Sequence, residues 1–265
     1  MSKAKRHGRQ GILLIFLLTL CALFSSAAAA GERSVKLGSD EWCPFICSSD
    51  GQHIDRGYLI ELARLALAGK GYDVDGLLMP LTRAMKLSES GDIDGVFAPP
   101  IPTSLAATVT VGLSLACFYT APDSKWTYHG LDSILQVSFG VIADYGYDNG
   151  VMDAYLARPE SERPEVQFNF GQTAGIQNVR RVLAGRYEAM LEHRAVVPYL
   201  LSKLGGNAQL REAGCLETPF PLIIGFSRAH GKGDALAKAF DEGVTDLDKS
   251  GALARLQQGY GLSEP

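Results

Sequence analysis

The sequence predicts an α/β protein built on largely parallel sheets. Three observations carry that expectation. From Val35 to Ala98, apolar strand patterns alternate with amphipathic helical ones in the order β-α-β-α-β, and such alternation implies a parallel sheet with helices on its faces. A second set of the same kind runs from Val137 to Leu204. No repeat or low-complexity tract follows the first thirty residues, and the chain closes on a long helical pattern.

Each element has its own signal. Val35 and Leu37 alternate with polar neighbours, which suits a short strand leading into "SDEWCPFICSSDGQHIDRGYLIELARLAL". After Gly57, Leu59, Leu62, Ala63, Leu65 and Ala66 share one helical face, and Gly69 and Gly71 stop the helix. Tyr72 to Met79 reads as a strand. Pro80 and Thr82 open a helix through Glu89, ended by Gly91, and Ile93 to Ala98 is a buried strand halted by Pro99-Pro100. Val109 to Tyr119 is apolar and partly β-branched, and Trp126 to Tyr128 is expected to be extended. The second set comprises a strand over Val137 to Ile142, a helix over Val151 to Ala157 and an extended piece over Val166 to Phe170. A helix over Gly175 to Leu183, a strand over Ala189 to Leu191 and a helix over Val196 to Leu204 complete it. Pro221 to Phe226 reads as one strand, and Asp234 to Gln258 as helix with a break at Gly251.

The first thirty residues have a different character. Lys3, Lys5, Arg6 and Arg9 precede an apolar run from Gly11 to Phe24, and Ser25 to Ala30 are all small. That is the three-part layout of a secretory signal, and the run is too short for a comfortable membrane span. Cys21 follows Leu20, where a lipidation site wants a small residue, so cleavage after Ala28 or Ala30 and a periplasmic product are expected. Loss of residues 1–30 removes four basic groups and no acids, leaving 21 Lys+Arg against 29 Asp+Glu, a formal charge of −8 over 235 residues. No basic stripe survives, which argues against a nucleic-acid partner. That length suits one large domain or two small ones, and no later segment is long and apolar enough to span a membrane.

Four cysteines remain: Cys43, Cys47, Cys117 and Cys215. An even number in an oxidising compartment favours disulfides, although spacing alone leaves three connectivities open. A Cys43–Cys47 bond would close a short loop worth about 2 kcal/mol in the chain-entropy account, and would fix the path of Trp42 and Phe45. Zinc is the competing reading, with His53 as a third ligand and no convincing fourth. A redox dithiol usually has two residues between its thiols, and here there are three.

The order of motifs resembles the bacterial extracellular solute-binding proteins of family 3, the receptors of amino-acid ABC importers. "WCPFICSSDGQHIDRGYLIELARLAL" is similar to the family's aromatic, proline and turn before its first helix. "MPLTRAMKLSESGDIDGVFA" resembles the helix, glycine and buried strand that follow, and "LDSILQVSFGVIADYGYDNGVMDAYL" the opening of a second lobe. "NVRRVLAGRYEAMLEHRAVVPYLL" and "DALAKAFDEGVTDLDKSGALARLQQGYG" look like the family's later motifs. Any one of these is weak; five in order cover nearly the whole chain from Val35 onward. The resemblance implies a two-lobed type II periplasmic-binding-protein fold, each lobe a mostly parallel sheet flanked by helices, with two crossover strands. Lobe I would take residues 31–118 and 215–265, and lobe II residues 119–214. On that plan Cys117 and Cys215 fall near the two crossings and would pair, leaving Cys43 and Cys47 to each other. The implied partners are a small solute and an inner-membrane ABC permease, with a monomeric chain and no cofactor or metal.

A closing cleft needs apolar walls and a few placed polar groups. Trp42 and Phe45 stand where the family often puts an aromatic wall, although either could simply fill the core. Arg83 follows a strand end and could grip a carboxylate, or be a solvated helix arginine. Tyr119 is a candidate contact on the hinge side. Tyr145, Gly146 and Tyr147 precede a helix whose free amides could hold an anion. Two departures from the family stand out. No arginine occurs between Pro99 and Ser124, where the α-carboxylate anchor belongs, and His193, beside Glu192, stands where an aspartate usually holds the α-amino group. A solute other than an ordinary L-amino acid is therefore as good an expectation.

Some relatives of this fold are dehydratases or lytic enzymes, for which Glu192, His193, His53 and Asp144 are the available acids and bases. No Gly-x-Ser-x-Gly elbow, His-Glu-x-x-His helix or phosphate loop is present, so binding is expected rather than catalysis. A ligand-sensing subunit for a membrane partner is the third class.

Overall fold

The computed structural model describes residues 33–205 and 207–262. The expected signal segment, residues 1–30, lies outside the described residues. The chain from Ser34 onward packs as one unit, and among the described residues no helix is long and apolar enough to cross a membrane.

Two sheets organise it. The first contains β1 (Arg33–Ser39), β2 (His53–Ile54), β3 (Tyr72–Leu78), β4 (Gly95–Phe97), β5 (Ala106–Ala107) and, far along the chain, Ile224–Phe226; their spatial order is β2-β3-β1-β4-(Ile224–Phe226)-β5. Between the sheets lies β6 (Gly112–Ser114). The second sheet contains β7 (Ala116–Thr120), β8 (Phe139–Ile142), β9 (Val166–Asn169), β10 (Ala189–His193) and β11 (Arg211–Cys215), in the order β11-β7-β10-β8-β9. β12 (Phe220–Leu222) pairs antiparallel with β6 as a two-stranded ribbon, with Phe220 opposite Ser114. β13 is the Ile224–Phe226 strand. The run read as one strand from Pro221 to Phe226 is thus two. It changes sheets at Ile223, whose carbonyl accepts the Ala98 N–H at 3.0 Å.

Both sheets are mixed, not mostly parallel as alternation alone suggests. β1–β4, β10–β8 and β8–β9 are parallel, whereas β13 runs antiparallel to β4 and β5, and β7 antiparallel to β10 and β11. Topology supplies the reason: the chain passes from the first sheet to the second by way of β6 and comes back by way of β12, so the strands flanking each passage enter their sheets against the parallel core. β4, β7 and β10 are buried along their whole length, as expected of strands covered on both faces. Sequence periodicity also misses β2, β5 and β11, which are short or polar, while Trp126 to Tyr128 is irregular, tied by a Tyr128 N–H to the Ala213 carbonyl at 2.7 Å.

The helices follow their apolar stripes. α1 (Tyr58–Ala68) buries Leu59, Leu62, Ala63 and Ala66, but Leu65 falls off the stripe and is half exposed. α2 (Leu81–Ser90) buries Leu81, Ala84 and Ser88. It ends at Gly91, whose φ of 85° lets its N–H bond back to the Leu87 and Ser88 carbonyls, a left-handed cap that glycine adopts without steric cost. Among the strands of the second sheet come α3 (Leu131–Ile134), α4 (Val151–Leu156), α5 (Ala174–Leu183) and α6 (Val197–Ser202). α7 (Gly233–Lys249) and α8 (Ala252–Gly259) pack against α1, separated at Gly251 as its position in the pattern predicts.

The loop after β1 answers the question of the two close cysteines. Cys43 is bonded to Cys47, and Cys117 to Cys215. Within the small loop, Trp42 N–H donates to the Ile46 carbonyl at 2.7 Å and Ile46 N–H to the Trp42 carbonyl at 3.0 Å. The Pro44 and Phe45 carbonyls then accept the Tyr58 and Leu59 N–H groups, at 3.1 and 3.0 Å. Gly57 gives α1 no side-chain cap, so the bridged loop itself satisfies the first orphan amides of the helix. The zinc alternative has no free thiol here, and His53 is exposed, bonded to Asp50 at 2.8 Å.

Candidate ligand-binding cleft

The cleft is built at the carboxyl ends of the parallel strands, where open α/β sheets expose loop ends that can converge on a ligand. Asp40 follows β1 directly. Tyr145 and Gly146 follow β8, Phe170 and Gly171 follow β9, and Glu192 with His193 ends β10. Trp42 enters from the bridged loop and Phe220 from the ribbon. Three small cavities meet around Asp40 and Tyr145, of about 20, 20 and 40 Å³. A cavity needs roughly 10–15 Å³ to hold a water, so these lobes are closed on little more than solvent-sized spaces.

Across the cleft, Tyr145 Oη donates to Asp40 Oδ2 at 2.6 Å. Burial raises the Asp40 carboxyl to about 6, an effect that the bonds from Tyr145 and Ser39 partly offset. Burial raises Glu192 further, to about 8, and the charge of Asp40 adds to the rise. Its Oε1 accepts the His193 N–H at 2.8 Å. His193 is held neutral, pushed down to about 4 by burial, and donates from Nε2 to the Gly146 carbonyl at 3.0 Å. That bond fixes the tautomer and leaves Nδ1 without a partner. Tyr147 stacks on the imidazole at 5.6 Å, while Trp42 meets it edge-on at 4.8 Å. The indole N–H of Trp42, itself 5% exposed, has no hydrogen-bond partner of good geometry. It approaches the Glu192 carboxyl closely enough to favour the charged form. Among the described residues, the charged side chains lining the three cavities are Asp40, Glu41, Asp144 and Glu192; no lysine or arginine lines them.

Of the residues expected from sequence, Trp42, Tyr145, Glu192 and His193 are brought together. Phe45 is fully buried beneath Trp42, ring centroids 4.6 Å apart, and lines none of the three cavities. Arg83 is exposed, because Leu81 and Ala84 occupy the inward face of α2 and the position between them turns out to solvent. Tyr119 lies on β7 away from the cavities, its hydroxyl donating to Glu212 Oε2 at 3.2 Å beside the Arg194–Glu212 pair. The amides read as an anion site are already used. Asp153 accepts from Tyr147, Asp148 and Asn149, and Asp148 from Gly150, Met152 and Asp153. The central residue that pattern reading misses is Asp40. Its signal is positional: an acid immediately after a buried strand of the parallel core. Tyr199, on α6, and Phe220 are also missed.

The buried acids predict a pH dependence. Asp40 and Glu192 keep protons in the folded state where an unfolded chain has lost them, so each contributes stability that is lost as pH rises through about 6 and about 8. His193 acts in the opposite sense: its contribution is complete above 6.5 and is lost as pH falls through about 4. From pH 6.5 to 8 the Glu192 contribution declines alone among the three, by roughly 2 kcal/mol. Urea unfolding across this interval should show that loss, and Glu192→Gln should flatten it. An unchanged slope in the variant would remove Glu192 as the cause.

No protein-family model matches the sequence, and no curated protein matches it. Solved structures do. A histidine kinase sensor domain with similarity to periplasmic binding proteins superposes with a TM-score of 0.73 at 18% identity, covering 88% of this chain and 99% of that one. The substrate-binding protein of an amino-acid ABC transporter gives 0.65 at 14% identity, over 86% and 98% of the two chains. An ancestral amino-acid-binding protein, a precursor of cyclohexadienyl dehydratase, gives 0.64 at 16%, over 86% and 94%. At these identities the likeness is one of fold, and the fold is that of the two-lobed periplasmic binding proteins.

Proposed function

We propose that the chain is an exported solute-binding protein, acting in the periplasm, that captures a small polar solute between its lobes and hands it to an ABC importer. Lobe I is taken as residues 31–118 with 215–265, and lobe II as residues 119–214. The observation that carries the reading is the convergence of buried aromatic and carboxyl groups from both lobes on small cavities, latched by Tyr145 on Asp40. A site made of two halves is completed only on closure, so ligand and closure stabilise each other. The functional side chains in this proposal are Trp42, Asp40, Tyr145 and Glu192, with His193 as a neutral buttress.

A sensing role shares the same capture step and is supported by the likeness to a kinase sensor domain. A lyase would use Glu192, which burial keeps protonated near neutral pH, as its acid.

The test is a thermal-shift screen of the mature chain after unfolding and refolding, over amino acids, amines, small carboxylates, sugars and short peptides. A ligand at about 100 times its Kd contributes roughly 2.7 kcal/mol, an expected rise of about 5–10 °C in the midpoint. Small-angle scattering should show the chain contracting with the same ligand. Chemical turnover of the ligand would replace capture with catalysis, and silence across the panel would sink the reading.

A further inference from the structure

We infer that the cleft selects a small organic cation, a protonated amine that carries no carboxylate. The inference rests on the solute-capture reading and names the class of solute.

Carboxyl groups line the cleft with no basic side chain among them. Asp40 comes from the first lobe and Glu192 from the second, each at least nine-tenths buried, and they lie close enough for Asp40 to act on Glu192. Glu41 and Asp144 also line the cavities. Among the described residues, no lysine or arginine lines these cavities. Arg83 points to solvent, Arg194 is engaged with Glu212 at 2.7 Å, and Arg56 is exposed. Residue 193 is a buried histidine held neutral, so it supplies neither a cation for a carboxylate nor a carboxylate for an ammonium. A zwitterionic amino acid would bring its carboxylate into this acidic, buried space with no cationic partner, at a high desolvation cost. A bare ammonium meets two carboxyls beside the aromatic rings of Trp42 and Tyr145, where cation–π attraction can add to the ionic one.

A second feature points the same way. The Trp42 side chain lines two of the cavities, and its buried indole N–H has no hydrogen-bond partner of good geometry but lies near enough to Glu192 to favour the charged carboxylate. Its attraction to Glu192 strengthens when that carboxyl ionises, and a cation seated between the acids favours that ionisation. Tyr145, already a donor to Asp40, performs the same service on the other side. Binding an amine at neutral pH then expels the Glu192 proton to solvent, leaving an ammonium, a carboxylate and an indole donor in mutual contact. The other groups facing Glu192 and Asp40, namely His193, Tyr147 and Tyr145, stay neutral throughout, His193 because burial holds it so and the tyrosines because burial and the nearby acids raise them well above their ordinary range.

The experiment compares pairs differing only by the α-carboxylate: agmatine with arginine, cadaverine with lysine, tyramine with tyrosine, ethanolamine with serine. Titration calorimetry of the refolded chain at pH 7, in two buffers of different ionisation enthalpy, reads affinity and proton release together. The expected result is that at least one amine binds at least tenfold more tightly than its amino acid and releases close to one proton. Glu192→Gln should abolish the release and weaken the amine at least tenfold, with circular dichroism unchanged. Asp40→Asn, made in parallel, should weaken the amine while retaining the release, and carries the test if the first variant fails to fold. An amino acid or an anion binding as well as the amines overturns the inference and leaves solute capture standing. Silence of every amine also overturns it, and the broader thermal-shift panel then decides whether capture itself survives.

Discussion

Replacing Cys117 and Cys215 together with alanine is expected to destabilise the chain by about 4–5 kcal/mol, the largest stability effect the structure points to. The bond joins residues 98 apart in sequence, and the unfolded chain gains the freedom of that whole loop when it is removed. For a chain of this size the loss corresponds to a fall of roughly 10–15 °C in Tm. Guanidinium unfolding of the oxidised protein and the double variant checks it. The same change at Cys43 and Cys47 should cost about 2 kcal/mol through loop entropy. A loss below about 1 kcal/mol at Cys117–Cys215 would mean that the paired strands β7 and β11 hold the unfolded loop nearly as well without the bond.

Trp42→Ala should combine a large stability loss with loss of binding. The indole is 5% exposed and packs on Phe45, Tyr145 and His193 at centroid distances of 4.6, 6.3 and 4.8 Å. Truncation of a buried tryptophan costs about 3–5 kcal/mol, and here it also opens the wall between two cavities. Trp42→Phe should recover much of the stability, because the ring volume is mostly kept. It should recover less of the affinity, because the N–H facing Glu192 is gone. Equal affinity in wild type and Trp42→Phe would remove the indole N–H from the account of the cleft.

Regular elements were the legible part of this fold. A helix such as α1 writes its buried stripe into the sequence, and Gly91 marks its own turn. β5 has two residues and no periodicity to read, while the switch of sheets at Ile223 sits inside a continuous apolar run. The cleft was legible where residues clustered, as in Trp42 with its cysteines and Glu192 with His193. Arg83 misled because chain position after a strand says nothing about which way a helix faces. Tyr119 misled because a tyrosine near a crossing can just as well serve its own strand, as its bond to Glu212 shows. Asp40 carries no motif. Its importance arises only when β8 brings Tyr145 to within 2.6 Å of it.

The ribbon of β6 with β12, fastened at one end by Cys117–Cys215, constrains how such a molecule can move. Two independent tethers would allow the lobes to swing, slide and twist separately. Two strands bonded to each other form one flexure, leaving essentially a single angular degree of freedom. On the proposed solute-capture reading, opening is then a one-coordinate motion, and dye pairs linking the elements around the first sheet with those around the second, such as Thr82 with Gln172 or Lys86 with Arg181, should relax with one common time constant. Reducing the Cys117–Cys215 bond should split that relaxation into two phases.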